Sequence, residues 1–491
     1  MKKSIKLLSV ILAMMMLFSM TALFTSCAKD VEEETSAPVG TVSTDESLPE
    51  LEIKDLGGLE IKLLWPEMHA DGHYLHNELT GNKESQGDVI DAAVAERNAI
   101  VEATYNVKLT SDTKFISTIP KDIQTEAMAQ EASYNVIAST IKFMTPLAQE
   151  GVLAAYNDLA YYDEAHPWWN HDLMQDFSIA NEKYFGSGDI IYSDDFYPYC
   201  VYLNSKVSEE QGITEDYYEL VNTKQWTLEK FHQLSAQVSN WGLSGEESWD
   251  EGDMNGAVIN ENFARAAYYS AGKGMIDFTK DGYPVWQMTV DRTQSILEKL
   301  IGVIFTDNAC TNVGVFDNHV EWELKLFTGN QGLFMVEELI SSERMTKNYS
   351  VDFKVLPFPL YEEGGEYISV LNDALILSVP VYSTKKDDVS LVLSAMGRES
   401  VNTLTPAFFE TVLTYRYMQD AQSVETLSLI LDSVVAPDVA TIQDWGAFMK
   451  NFKALVFEQS TDFSSYHAQH IGEAMDKVEE YSVMIDEFYA K

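Results

Sequence analysis

An ordered alternation of strand and helix patterns near the start of the apolar bulk most limits how this chain can fold. Residues 59–63 alternate apolar and polar side chains, as a half-buried strand does. A helical pattern follows in 87–105, a short strand in 106–109, a helix in 119–131 and a third strand in 134–138. Strands that alternate with helices predict βαβ units, and therefore an α/β fold with a largely parallel sheet.

The same kind of alternation resumes after residue 217 and gives way to helices towards the end. Thr227 stands directly before a helical pattern, and we predict that it is the N-cap. Residues 353–359 predict a strand ended by prolines, and 374–379 predict another strand. After about residue 385 the pattern is helical, with a long amphipathic segment over 467–489.

The first 27 residues have the layout of a secretory signal peptide. Three lysines within the first six residues precede an apolar stretch over 7–23. At about 17 residues this stretch is marginal for a membrane span. The small residues before Cys27 resemble the lipobox of bacterial lipoproteins. That resemblance implies cleavage before Cys27, acylation of Cys27 and a lipid anchor on the extracytoplasmic face of the cell membrane. A plain signal peptide with an incidental cysteine is the alternative.

Residues 28–56 predict a flexible acidic tether. The segment contains three consecutive glutamates and is rich in Thr, Ser, Pro and Gly. A segment with low hydrophobicity and like charges buries too little apolar surface to offset the conformational entropy lost when it becomes ordered. No later stretch is long and apolar enough to span a membrane.

The charge balance excludes some classes of partner. The chain has 33 basic and 77 acidic residues, which gives a formal net charge of −44. A nucleic-acid-binding protein needs a basic face, and electrostatic docking on anionic lipid needs one too. The excess of acidic residues favours solubility near a cell surface, and a narrower interpretation is a cationic ligand.

The three cysteines do not form a disulfide framework. Cys27 is explained by the lipobox. Cys200 and Cys310 either pair in an oxidising compartment or are two buried free thiols.

Two patterns resemble metal sites, although we predict no metal and no cofactor. His69, His73 and His76 would share one face of a helix, as zinc ligands do, but exposed histidines are the simpler interpretation. Residues 251–256 resemble the start of a calcium loop. Its twelfth position is Asn262, where a bidentate glutamate belongs.

Patterns of known enzymes are absent, and we predict that the chain is not an enzyme. It contains no G-x-S-x-G, no H-E-x-x-H and no phosphate-binding loop. A secreted cell-surface enzyme that degrades glycans is the alternative, because 77 acidic residues offer many possible carboxylate pairs.

Several short stretches, in order along 57–491, resemble the extracellular solute-binding proteins of bacterial ABC importers, in particular the sugar-type family 1 and its lipoprotein members. These stretches are Glu96-Arg97-Asn98, Tyr105-Asn106-Val107, Tyr134-Asn135-Val136-Ile137, residues 153–159, Gly188-Asp189-Ile190, residues 201–206, Trp226-Thr227, residues 327–334 and residues 406–445.

The resemblance implies a type II periplasmic-binding-protein fold, in which two α/β lobes are joined by a hinge that the chain crosses more than once. One lobe would contain residues 57–189 with about 372–400. The other would contain 190–371 with about 401–491. The lobes would close on a small solute and present it to the permease subunits of the transporter.

The resemblance also implies an extracellular function in sugar transport: capture of a carbohydrate or oligosaccharide. A peptide or another non-sugar ligand is an alternative, and so is a sensory lipoprotein that signals to a receptor. Aromatic faces cover the C–H side of a sugar ring, and carboxylates and amides bind its hydroxyls. We expect the ligand-binding residues to be Trp65, Tyr192, Asp194, Asp195, Glu337, Asn372, Asp373 and Trp445. Core packing of the aromatic residues and solvated turns at the polar residues are the competing interpretations.

Overall fold

A computed structural model describes residues 48–67, 77–81, 88–241, 252–272, 274–316, 318–372, 374–409 and 421–490. Several predicted features lie outside these ranges. They are the signal peptide with Cys27, residues 28–47 of the tether, the histidines of segment 68–76, Asp373 and the first residue of the calcium-like loop.

The elements up to residue 222 are β1 Leu59–Glu67, α1 Val89–Tyr105, β2 Val107–Phe115, α2 Ile119–Ala129, β3 Val136–Thr140, α3 Ile141–Gln149, α4 His171–Asp176, α5 Ser193–Phe196, β4 Tyr199–Asn204, α6 Ser205–Glu210 and α7 Tyr217–Asn222. Those up to residue 357 are α8 Leu228–Val238, β5 Asn255–Ile259, α9 Asn262–Ser270, β6 Ile276–Phe278, β7 Pro284–Trp286, α10 Val290–Phe305, β8 Cys310–Asn312, α11 His319–Thr328, β9 Gly332–Glu338, α12 Ser341–Asn348 and β10 Phe353–Pro357. The remaining ones are β11 Ser369–Val370, β12 Leu375–Ser378, α13 Lys386–Ser400, α14 Leu404–Phe408, α15 Ala421–Asp432, β13 Val434–Val435, α16 Val439–Ile442, α17 Phe448–Phe457 and α18 Phe463–Tyr489.

The first sheet has four strands in the order β12-β3-β1-β2. β1 is parallel to both β2 and β3, so the parallel βαβ units predicted from the sequence are confirmed. β12 comes from far along the chain and pairs antiparallel with β3. β1 extends beyond the alternating residues 59–63 and runs through Pro66 to Glu67. The proline is tolerated because β3 pairs only with Leu63 and Leu64, which leaves β1 one neighbouring strand at Pro66.

The second sheet has five strands in the order β10-β4-β9-β5-β8. β5 is parallel to β8 and β9, whereas β4 is antiparallel to β9 and β10 is antiparallel to β4. Helix α8 begins as predicted, because the Thr227 side chain accepts a hydrogen bond of 3.2 Å from the Lys230 N–H.

Arg97 and Asn98 join helix α1 to two other segments of the first lobe. Arg97 is fully buried and donates to the carbonyls of Glu78, Leu79 and Ile190 at 2.8, 3.0 and 2.9 Å. Asn98 donates to the Leu79 carbonyl at 2.8 Å. The motif that carried part of the family resemblance therefore holds the chain where it leaves the first sheet.

The chain passes between the two sheets near residues 190–198 and again near 371. The two passages are hydrogen-bonded to each other, because the Asn372 N–H donates to the Tyr197 carbonyl at 3.1 Å. Phe408 of α14 packs on the first passage, with its ring centroid 4.8 Å from that of Tyr192 and 4.6 Å from that of Phe196. We call Tyr192, Phe196 and Phe408 the hinge aromatic cluster. The residue limits of the lobes stay predictions.

Residues 48–56, predicted as the end of a flexible tether, lie against the folded body. The Pro49 carbonyl accepts from Arg398 Nε at 3.0 Å, and Lys54 forms an ion pair of 2.7 Å with Asp388. Both partners belong to α13. The Leu56 N–H also donates to the Tyr105 carbonyl at 2.9 Å. We call residues 48–56 the N-terminal strap.

Cys200 and Cys310 are both buried free thiols. Cys200 lies in β4 and Cys310 in β8, with β9 and β5 between these strands. Three strand spacings amount to roughly 14 Å, twice the longest Cα separation that a disulfide spans. The alternative of a disulfide between them is therefore wrong.

The calcium-like loop is not formed either, because its residues 255–259 are the buried strand β5. Within the described ranges, no group of three or more His, Cys, Asp or Glu side chains is arranged to hold a metal ion. In the same ranges, no helix has both the length and the apolar character that crossing a membrane requires.

Candidate functional site

A group of polar side chains gathers where β5 and β9 end and the second passage between the sheets begins. Ligands of open α/β sheets bind beyond the carboxyl ends of the strands, so this position is the first place to look for a site. Asn260 directly follows β5, Arg265 lies on α9, Glu323 on α11, Glu337 and Glu338 at the end of β9, and Asn372 in the passage. We call these six residues the acid–amide cluster.

Glu323 and Glu337 form a buried pair on one face of the second sheet. Asn260 Nδ2 donates to Glu323 Oε1 at 2.8 Å and to Glu337 Oε2 at 3.4 Å. The Glu338 N–H donates to Glu337 Oε1 at 3.0 Å. Glu323 is 0% exposed and Glu337 is 4% exposed. Glu337 lies close enough to Glu323 for its charge to act on the ionisation of Glu323.

Burial raises the pKa of Glu323 well above its usual value, and the neighbouring charge of Glu337 raises it further. The raised pKa favours the protonated form of Glu323. Glu323 Oε2 is buried and has no hydrogen-bond partner among the described residues.

Glu323→Gln is expected to make the protein more stable relative to wild type as the pH rises. A carboxyl whose pKa is raised by folding stabilises the native state fully below its unfolded pKa, near 4.5, and loses this contribution as the pH rises through the folded pKa. Glutamine does not titrate, so the difference in Tm, variant minus wild type, should grow between pH 4 and pH 9. Thermal unfolding over this range measures it, and a difference independent of pH contradicts the raised pKa of Glu323.

Glu338, Asn372 and Arg265 form a second chain of contacts that reaches the passage between the sheets. Asn372 Nδ2 donates to Glu338 Oε1, and an Arg265 guanidinium nitrogen donates to Asn372 Oδ1. Arg265 Nε is buried and has no hydrogen-bond acceptor. Asn372 and Arg265 are only partly buried, so the amide and guanidinium groups at this end of the cluster lie near the surface, at the passage between the sheets.

The first passage between the sheets contains three of the residues predicted to bind a ligand. Asp194 is buried, and its Oδ2 accepts from Asn170 Nδ2 at 2.5 Å. Asp195 is partly exposed. Tyr192 is 5% exposed and stacks on Phe408 with an angle of 21° between the rings. Tyr192 is therefore a buried residue of the first passage between the sheets, and its contact with a ligand stays a prediction.

The two predicted tryptophans are both buried, away from the acid–amide cluster in sequence and in contacts. Trp65 lies in β1 and packs into the core of the first sheet. Trp445 packs on Tyr481 of α18 at 5.8 Å, and its Nε1 donates to Gln443 Oε1 at 3.0 Å. Gln443 in turn donates to Gln149 of α3 at 3.3 Å. A role of either tryptophan in ligand binding stays a prediction.

The structure brings Glu337 and Asn372 of the predicted set into one cluster with Glu338, the neighbour of Glu337, and with three residues that sequence reasoning missed. These are Asn260, Arg265 and Glu323. Asn260 had a local signal, since a polar residue that directly follows an apolar strand lies at the ligand-binding edge of an α/β sheet. Glu323 had none, because a glutamate on an amphipathic helix usually faces solvent.

A surface cavity of about 720 Å³ lies at the other end of the second sheet. Its walls come from the last part of α8 with the residues after it, and from the segment just before β8. The lining residues include His232, Ser239, Trp241, Asp307 and Asn308. Because it is at the amino-terminal ends of the strands, we do not assign the ligand site to it.

No family model and no curated protein matches this chain. Solved structures do match it over most of its length. UspC of M. tuberculosis has 13% sequence identity and a TM-score of 0.57, and the match covers 85% of this chain and 99% of that one. A cyclic alpha-maltosyl-1,6-maltose binding protein from Arthrobacter globiformis has 12% identity and a TM-score of 0.58, with 85% and 99% covered. The ABC substrate-binding protein Lmo0181 from Listeria monocytogenes, solved with cycloalternan, has 13% identity and a TM-score of 0.54, with 88% and 99% covered.

These matches establish the fold as that of the two-lobed substrate-binding proteins of ABC transporters. The type II periplasmic-binding-protein fold predicted from the sequence is confirmed. The acid–amide cluster belongs to the second sheet and lies beside the passage that joins the two sheets near residue 371.

Proposed function

We propose that this protein captures a carbohydrate between its two lobes and delivers it to the permease subunits of an ABC importer. The observation that carries the proposal is the acid–amide cluster at the carboxyl ends of β5 and β9, next to the hinge. Carboxylates, amides and a guanidinium are the groups that hydrogen-bond sugar hydroxyls. Two of the similar structures are named for, or were solved with, an oligosaccharide, which supports a ligand of this class.

The geometry of the Glu323–Glu337 pair favours binding over glycan hydrolysis. The paired carboxyl groups of glycosidases stand about 5–5.5 Å or 6.5–9.5 Å apart, so that the scissile bond or a water fits between them. Glu323 and Glu337 instead both accept from Asn260 Nδ2, and they are 0% and 4% exposed. A glycosidic bond has no access to carboxyl groups that are buried in this way.

Ligand binding is expected to depend on the two partly exposed polar residues of the hinge passages. Asn372→Ala and Asp195→Ala should each weaken a sugar ligand about tenfold or more, since a lost hydrogen bond at a desolvated site costs at least ~1.4 kcal/mol. The matched control is Asp281→Ala, at an exposed turn. A thermal-shift screen of mono- and oligosaccharides, peptides and polyamines identifies the ligand, and titration calorimetry then measures the variants.

Two outcomes of this screen contradict the proposal. If peptides or polyamines alone stabilise the protein, the ligand class is wrong. If a sugar binds and neither hinge variant weakens it relative to Asp281→Ala, the site is wrong.

The lipid anchor forms a separate part of the proposal. We expect Cys27→Ser to release the protein from the cell surface into the medium, because the cysteine sulfur is the acylated atom. Metabolic labelling with a radioactive fatty acid should mark the wild type and leave the variant unlabelled. Labelling of both proteins, or retention of the variant at the membrane, contradicts the anchor.

A further inference from the structure

A two-residue turn beside the first sheet adopts an uncommon backbone conformation. Ile179 and Glu182 flank it, and their backbone groups exchange hydrogen bonds of 3.0 and 2.9 Å. The two central residues, Ala180 and Asn181, have φ angles of 52° and 63°, in the left-handed region that favours glycine. Residues other than glycine persist in strained conformations where the surrounding structure holds them, and such positions cluster at clamps and switches. The partners of this turn therefore point to its role.

Those partners are the loop between β6 and β7 and the last residue of α18. Asn181 Nδ2 donates to the Lys280 carbonyl at 3.3 Å. Tyr489 Oη donates to the carbonyls of Ala180 and Asp281, at 3.3 and 3.1 Å, so one side chain links the turn to the loop. We call these five residues the rear contact.

The rear contact connects the surroundings of the two sheets at a place apart from the passages. Residues 183–188 follow the turn, and Gly186 forms a bridge with Leu377 of β12 in the first sheet. On the other side, the ring centroid of Trp286 in β7 lies 5.2 Å from that of Phe448 in α17, and α10 packs on β8 of the second sheet. The rear contact is therefore a further connection between the parts of the molecule built around the two sheets.

The register of the first sheet places the turn at the end opposite to the carboxyl ends of β1 and β3. β3 ends at Thr140, which pairs with Leu375 at the start of β12, so β12 runs from those carboxyl ends towards the amino ends. Gly186 pairs antiparallel with Leu377, so the chain before Gly186 continues towards the amino ends and the chain after it towards the carboxyl ends. The turn therefore lies on the rear side of the sheet, and the first passage begins on the side where ligands of such sheets bind.

A second contact between the same parts lies on this rear side. α3 begins directly after β3 ends, so its last residue, Gln149, lies back towards the amino ends of the strands, and it accepts from Gln443 Nε2 at 3.3 Å. Closure of a hinged binding protein brings the ligand-binding edges of its lobes together. Parts on the opposite side of the hinge then move apart, so closure would separate the residues of the rear contact.

We propose that the rear contact keeps the lobes open in the absence of ligand and is broken when they close. Part of the free energy of ligand binding is then used to break it, which lowers the affinity for the ligand. The inference rests on the proposed function in one respect, because it assumes that the lobes close on a ligand, and it applies to any class of ligand. Tyr489 is accordingly a positioning residue, which acts on ligand binding through the angle between the lobes.

Pulsed electron paramagnetic resonance on the ligand-free protein tests the inference. Spin labels at Lys142→Cys and Glu261→Cys report the width of the opening, because these exposed residues closely follow the carboxyl ends of β3 and β5. Tyr489→Phe removes the hydroxyl and keeps the ring, and Asn181→Gly removes the amide in a turn that suits glycine. Each change should raise the ratio of closed to open molecules about three- to tenfold, and the two together should raise it further.

The matched control is Tyr349→Phe, which removes the hydroxyl of a tyrosine that is 41% exposed and should leave the distances unchanged. Circular dichroism confirms that each variant folds. A shift of the rear-contact variants to longer distances, or distances equal to those of wild type, overturns the inference. Failure of every saccharide in the thermal-shift screen would contradict the proposed function instead, because no ligand is present in this measurement.

Discussion

Replacing Arg97 with alanine is expected to lower the free energy of unfolding by about 3–5 kcal/mol, which is the cost of breaking a buried charged network from one side. The Arg97 guanidinium donates to three carbonyls, those of Glu78, Leu79 and Ile190, and also contacts Asn98 and Ser400. Alanine leaves these acceptors buried and opens a cavity in their midst. The loss should appear as a lower midpoint of chemical denaturation.

The neighbouring residue on the same helix provides the control. Glu96 is exposed, so Glu96→Ala should change the free energy of unfolding by less than about 0.5 kcal/mol. Arg97→Lys is expected to recover only part of the loss, because a single ammonium cannot reach three carbonyls as the guanidinium fork does. If Arg97→Ala is as stable as Glu96→Ala, the network does not hold the first passage in place.

Phe408→Ala is the second change with a large expected effect, a loss of about 3–5 kcal/mol in the free energy of unfolding. Phe408 is 1% exposed and contacts Tyr192 and Phe196 from the first passage. Removing the ring leaves a cavity between helix α14 and the hinge, which the rigid backbone on either side cannot fill. Chemical denaturation measures the loss.

Phe115→Ala is the matched control, because this phenylalanine is 40% exposed and its truncation should cost less than about 1 kcal/mol. Equal losses for the two variants contradict a central role of Phe408. The Phe408→Leu variant should recover more than half of the loss, since leucine refills most of the space without restoring the stacked contact with Tyr192.

The first sheet could be predicted from the sequence because its signals are local. Apolar periodicity over 59–138 defined three strands and two helices, and the chirality and order of βαβ units then fixed a parallel arrangement. The Thr227 cap is equally local, since it depends on one hydroxyl and an N–H three residues later. The strand β12 was also predicted, over 374–379, but periodicity could not show that it pairs with β3 across more than 230 residues of chain.

Most of the acid–amide cluster could not be predicted, because its contacts join distant parts of the chain. Asn260 and Glu323 are 63 positions apart, and Arg265 and Asn372 are 107 positions apart. No local pattern encodes such pairings. Tyr192 shows the opposite difficulty, since an aromatic residue beside a hinge has the same sequence signature whether it faces a sugar or, as here, packs on Phe408.

The N-terminal strap has a mechanical consequence for a protein held by its amino end. Pro49 and Lys54 both contact α13, so a pull on the amino end reaches the folded body first at that helix. With Cys27 as the proposed anchor, residues 28–47 would bridge the gap to the membrane, and 20 residues span at most about 70 Å. Under that proposal, the first sheet and α13 would be the part of the protein held nearest to the membrane.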